Sequence, residues 1–196
     1  MASNFEKLRR RQHPPFFHAV AMDARRTRAF RNESSVSSSR RRLVFDIVRL
    51  IFVSDAFVAQ VMYRARMRLI RFRVPVLPWL LHRFSMSWCQ VCIGKPVVIA
   101  PGLYLPHGQV VVDGITSIGP DCILFPWVTI GLRAGNFQGP SIEAGVHVGT
   151  GAKVIGPVSV GAGAKIGANA VVVDDVPSRA TVIGVPARQT PRVQSV

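Results

Sequence analysis

Side chains able to ligate a metal or exchange a proton near neutrality are few in this chain: three cysteines and five histidines. Cys89-Gln90-Val91-Cys92 has the spacing of a redox pair or half a zinc site, but no second CxxC or HxxxH follows to complete a tetrahedral set. Cys89 and Cys92 therefore read as packing residues. With only Cys122 besides them, no disulfide framework can be drawn. No secretory leader precedes them, so a reducing cytoplasm is the expected compartment. His107 stands between the aliphatic stretch Leu103–Leu105 and the turn Gly108-Gln109, whereas His13, His18, His82 and His147 read as surface or structural groups.

The elements that must position these groups change character near residue 90. Beyond it, aliphatic residues recur at Ile118, Leu124, Ile130, Ile142, Val148, Val154, Val160, Ile166 and Val172, all separated by multiples of six. Small residues such as Ala152, Ala164 and Ala170 fill the place two before the next aliphatic residue. Neither a helix nor an antiparallel sheet has that period. A solenoid does, because each six-residue unit makes one short strand and one turn, three units close a triangular coil, and stacked coils bury what one unit cannot. Val111–Gly114 reads as a less regular turn, and Gly131–Gly139 as a loop thrown out from a coil, where sites are commonly built.

Before residue 90 the pattern is helical and basic. Residues 1–83 carry 18 lysines and arginines against five acidic residues, a net of +13 within a chain total of +15. Residues 1–42, with arginine triplets at Arg9–Arg11 and Arg40–Arg42 and the serine-rich run 34–39, read as a partly disordered leader in which Phe16–Phe30 could form a short helix. Residues 43–90 read as an amphipathic helical segment, Pro75 and Pro78 punctuating it. A field of this sign suits anionic partners, the plain alternative being a solvated arginine-rich leader. No apolar run reaches the ~20 residues a membrane-spanning helix needs. Nucleic acid has no aromatic and basic platform here and is not expected as a partner.

The stretch from Ile93 to Arg188 resembles the hexapeptide-repeat acyltransferases, especially their serine acetyltransferase-like branch. The likeness rests on Gly102-Leu103-Tyr104-Leu105-Pro106-His107, Val128-Thr129-Ile130-Gly131, Val148-Gly149-Thr150-Gly151-Ala152-Lys153 and the closing Val182-Ile183-Gly184-Val185-Pro186-Ala187-Arg188, in that order. It implies a mainly β fold, a left-handed parallel β-helix over 91–188 preceded by the basic helical segment, with a tail at 189–196. The same fold serves zinc-dependent carbonic anhydrases, but those need three histidines on the metal and the solenoid holds only His107 and His147. No metal is expected.

The activity the resemblance implies is transfer of an acetyl group from acetyl-CoA, a co-substrate and not a bound cofactor, to a hydroxyl. The hydroxyl must lose its proton as it attacks, and histidine, with an ordinary pKa of roughly 6.5, suits that task. His107 matches the family's general base. Where serine acetyltransferases keep a carboxylate to orient that histidine this chain has Cys92, and Pro106 replaces the aspartate just before it, so that Asp113 or a backbone carbonyl would orient the ring, Asp113 being the expected group. Gly139 stands where a second histidine precedes Pro140. Thr150, Ala168, Gly184 and Ala187 match positions along which coenzyme A lies, Arg188 could pair a phosphate, and Arg133, Asn136 and Gln138 could bind the acceptor.

The expected protein is thus a homotrimer or dimer of trimers acting on L-serine. A sugar or polysaccharide acceptor is the alternative within the fold. A second alternative is a non-catalytic trimeric scaffold whose basic N-terminus makes peripheral contact with an anionic membrane or partner.

Overall fold

The computed structural model describes residues 13–33 and 39–190. The parts of the expected leader at 1–12 and 34–38, and of the expected tail at 191–196, lie outside the described residues.

The six-residue period becomes short parallel strands on the three faces of a prism. The first face holds β1 (Val91–Ile93), β3 (Val110–Val112), β6 (Thr129–Gly131), β9 (Lys153–Ile155) and β12 (Val171–Val172). The second holds β2 (Val98–Ile99), β4 (Ile115–Ile118), β7 (Gln138–Ile142) and β10 (Ser159–Val160). The third holds β5 (Ile123–Leu124), β8 (His147–Val148), β11 (Lys165–Ile166) and β13 (Thr181–Ile183), with β14 (Arg188–Gln189) turned back antiparallel on β13. The register pairs repeat position with repeat position: Ile118 with Ile142, Ile130 with Val154, Val148 with Ile166. All six are buried, so each coil covers the apolar residue its neighbour exposes. The result is a left-handed parallel β-helix preceded by helices.

Four helices precede it among the described residues: α1 (Phe16–Phe30), α2 (Arg40–Val53), α3 (Asp55–Arg71) and α4 (Leu77–Ser87). The Ser54 hydroxyl caps α3 by accepting from the Phe57 amide, and Pro78 occupies the first turn of α4, where its missing N–H costs nothing. Helix α1 coincides with the short helix read at Phe16–Phe30 within the expected leader, and α2 starts in that leader; what sequence does not show is that α1 docks on the solenoid. It docks through a buried ion pair. Asp23 of α1 accepts from Arg64 of α3 at 3.0 and 3.2 Å and from the backbone amides of Gly102 and Leu103 at 2.9 and 3.0 Å.

The same helices close the open end of the solenoid. The first coil's outward carbonyls have no preceding strand to pair with, a costly edge if left bare. Tyr63 donates to the Val97 carbonyl at 2.9 Å, Arg64 to Ile99 and Ala100 at 2.5 and 2.8 Å, Arg66 to Ile93 at 2.6 Å and Ser85 to Val91 at 2.8 Å. Ala56, Ala59, Tyr63 and Met67 of α3 join the solenoid's apolar core, while Val20, Ala24, Leu50 and Phe57 of α1, α2 and α3 form a second apolar cluster within the cap.

Candidate active site

The repeat puts a tight turn at each corner of the prism, and the corners between the third and first faces stack into one edge. Gln90, Gln109, Trp127 and Asn169 occupy successive corners there with φ of 55–65°, and Gly151 holds the corner between Trp127 and Asn169. Hydrogen bonds run up this edge from the Gly151 amide to Pro126 and from the Asn169 amide to Thr150. His107 lies at its helical end, exposed, two residues before Gln109. Gly108 lets that turn sit against the coil before it: a Cβ there would lie 2.2 Å from the Cys89 carbonyl oxygen. The Gln109 side-chain amide donates to that of Gln90 at 2.5 Å, tying the two corners together.

Around His107 is a cleft of about 470 Å³ walled by Trp88, Trp127, Gln90, Gln109 and, from the start of α3, Asp55. Trp88 and Trp127 are exposed and offer flat apolar faces. Asp55 supplies the cleft's carboxylate and Cys89 its floor. Burial, with Asp55 adding to it, pushes the Cys89 thiol up to about 11, so it stays protonated near neutrality and is a poor nucleophile.

The other residues singled out from sequence fall into three places. Thr150, Ala168 and Gly184 follow His107 along the same edge, the first two exposed at corners after β8 and β11 and the third after β13. Ala187 and Arg188 turn back beside them. Arg188 is exposed and donates to Asp174 at 3.0 Å. Arg133, Asn136 and Gln138 lie on another edge, between the first and second faces. The loop read at Gly131–Gly139 runs over 132–137 between β6 and β7, its tip closed by the backbone amide of Asn136 donating to the Arg133 carbonyl at 2.9 Å. Gly139 is inside β7, where a Cβ would meet the Thr116 hydroxyl at 2.2 Å, so no larger side chain fits.

Asp113 is not brought to His107. It follows β3 at the opposite corner of the first face, about 10 Å of strand away, and its carboxylate lies over Gly94. Its electrostatic neighbours are Cys92, Arg66 and His82. Burial raises the Cys92 thiol, Asp113 adds to the rise, and Cys92 is half-buried in β1, outside the His107 cleft. Sequence reasoning missed Asp55, Trp88 and Trp127. Asp55 follows a helix cap and no local pattern marks it as facing a corner some fifty residues on.

No family model matches the chain. A serine acetyltransferase from Synechococcus elongatus is 39% identical over 145 residues, covering 72% of this chain and 59% of its own. A serine acetyltransferase structure from Vibrio cholerae O1 is 30% identical with a TM-score of 0.77, covering 92% of this chain and 67% of that one. A serine acetyltransferase solved in complex with CoA is 27% identical with a TM-score of 0.76 over 94% of this chain and 73% of that one. The chain spans about half the length of the curated relatives it matches. With the hexapeptide period, the ordered motifs and the helical cap all matched across nine-tenths of its length, the chain belongs to the hexapeptide-repeat acyltransferases, on their serine acetyltransferase-like branch.

Proposed function

We propose that this protein is an acetyl-CoA-dependent O-acetyltransferase with L-serine as acceptor. The observation that carries the reading is His107, exposed at the head of a prism edge in a cleft of about 470 Å³ that has room for a small acceptor. In the reaction His107 takes the acceptor's hydroxyl proton as the oxygen attacks the thioester carbonyl carbon. The tetrahedral intermediate collapses with cleavage of the C–S bond, and coenzyme A leaves as the thiol, carrying that proton. We assign orientation and charge compensation of the imidazolium to Asp55, the carboxylate within the cleft, in place of Asp113. The donor lies along the edge marked by Thr150, Ala168 and Gly184, with Ala187 and Arg188 at its nucleotide end.

Arg133, Asn136 and Gln138 stand on a different edge of the same prism, so they can reach an acceptor at His107 only if a neighbouring copy presents them. This supports a trimer in which each site combines one chain's His107 edge with the next chain's turn. Three free thiols suit a reducing cytoplasm.

One observation favours a saccharide acceptor as the second reading. Two exposed tryptophan faces and two glutamine amides suit a polyhydroxylated ring, and no lysine or arginine among the lining residues meets an amino acid's carboxylate. The test is thiol release from acetyl-CoA by the purified protein with L-serine and with a panel of sugars, His107→Ala in parallel. Acceptor-dependent release that falls by about 10²–10⁴ in the variant is the expected result. Release unaffected by the substitution would end the assignment, and release with sugars alone would replace serine.

A further inference from the structure

Independently of the catalytic reading, one surface of the cap is built for a partner the enzyme site does not use. Helix α4 buries Pro78 and Ser85 and turns the opposite side outward. That side shows Leu77, Trp79, Leu80 and Phe84, with Trp79 60% and Leu80 49% exposed. The preceding connection adds Phe72 at 61% and Val76 at 66%. An apolar patch of this extent on a single helix corner marks an interaction site.

The charge around it is predominantly positive, the exposed carboxylate of Asp113 lying over Gly94 beside Lys95. From Ala56 to Val112 there is no aspartate or glutamate, while Arg68, Arg71, Arg73, Arg83 and Lys95 are all exposed. Arg68 lies over the Phe72 ring at 5.2 Å and Arg83 over Trp79 at 5.8 Å, so guanidinium groups alternate with apolar faces in one layer. Between the end of α3 and the start of α4, Arg73, Lys95, Val76 and Trp79 wall an open hollow of about 330 Å³.

We propose that this α3–α4 corner docks on an anionic lipid surface, with Leu77, Trp79 and Leu80 entering the interfacial layer and Arg73 and Lys95 receiving phosphate or carboxylate headgroups. The arrangement meets both requirements of a peripheral site: apolar side chains long enough to reach the acyl boundary, and cations at the headgroup level. A second copy of the chain fits less well, because a two-fold contact would press this arginine-rich face against itself. Nucleic acid would use the cations but leave Val76, Leu77 and Leu80 without a role. No helix among the described residues is long and apolar enough to cross a membrane, so the contact is peripheral.

The test is co-sedimentation of the full chain with vesicles of phosphatidylcholine, with and without phosphatidylserine, at low and high salt. Binding is expected only with the anionic lipid, weakening with salt, and blue-shifting Trp79 emission in a chain whose Trp88 and Trp127 are replaced by phenylalanine. Arg73→Glu should weaken partitioning by about fivefold or more, given the contribution of one arginine at such a surface. Trp79→Ser with Leu80→Ser should remove it with thermal stability unchanged. If that double variant does not fold, Arg73→Glu and the salt series decide alone. Absence of anionic-vesicle binding would overturn the proposal. So would binding indifferent to these substitutions, vesicle-independent association abolished by them, or nucleic-acid binding that they abolish.

Discussion

At the scale of single residues the site depends on what stands beside His107. On the proposed mechanism His107 becomes an imidazolium during transfer and a carboxylate would compensate it, and Asp55 is the one in the cleft. Asp55→Asn keeps the size and the cap geometry at Ser54 while removing the charge. If Asp55 stabilises the imidazolium, the substitution lowers kcat by one to two orders of magnitude, consistent with the cost of losing an outer-shell partner, and leaves KM for acetyl-CoA unchanged. Steady-state kinetics with Asp113→Asn alongside separates the two carboxylates. A loss confined to the Asp113 variant would restore the assignment made from sequence. The separation of Asp113 from His107 has a plain origin: it lies six positions along the chain, but three of those positions are strand, which carries it to the far corner of the face.

At the scale of elements, the cap and the solenoid are held together by Asp23 and Arg64. Each is nearly solvent-free, at 1% and 5% exposure, and Arg64 bridges α1 to the carbonyls of Ile99 and Ala100. Arg64→Met leaves a buried carboxylate facing only two backbone amides. Breaking such a pair costs about 3–5 kcal/mol, visible as a lower urea midpoint by circular dichroism. The double variant Asp23→Leu, Arg64→Met should recover part of that loss, since no uncompensated charge then stays buried. An unchanged midpoint for Arg64→Met would mean that α1 does not anchor to the first coil. The two halves of the chain differ in how readily they are read. The solenoid was legible because its six-residue period repeats the same physical demand, one inward aliphatic per unit, over five coils. The cap was legible as helices but not as a lid: the contacts that dock it join residues 41 and about 80 positions apart, and Asp23 in an arginine-rich stretch carries no local sign that it will be buried. The loop expected at 131–139 is present but narrower, over 132–137, for a different reason. Glycine and asparagine over 131–139 suggest a loop, but the parallel pairing of β7 with β4 draws Gln138 and Gly139 into strand.

At the scale of the whole molecule, two histidines sit where the cap meets the solenoid, and they couple its stability to pH. His82 of α4 accepts at Nδ1 from Arg66, which itself donates to the Ile93 carbonyl, at 3.0 and 2.6 Å. His147 of β8 lies edge-on to Phe30 of α1 at 6.2 Å, with Arg26 and Lys165 nearby. Burial lowers both from the usual histidine value, and the neighbouring cations lower them further. A base whose folded pKa is depressed binds fewer protons folded than unfolded as pH falls below the unfolded value of about 6.5. Their stabilising contribution is therefore present above about 6.5 and is lost on acidification below it. Because α3 belongs both to the solenoid's apolar core and to the cap's own cluster, that loss should appear in a single cooperative transition and not as early melting of the helices. Melting curves followed by circular dichroism between pH 7.5 and 5.5 should show Tm falling with pH. His82→Gln, which keeps an acceptor for Arg66 but cannot titrate, should flatten that slope, and His147→Gln should flatten it further. A slope unchanged in the double variant would place the titration elsewhere, and two separate transitions would mean that the helices and the coil unfold as independent units.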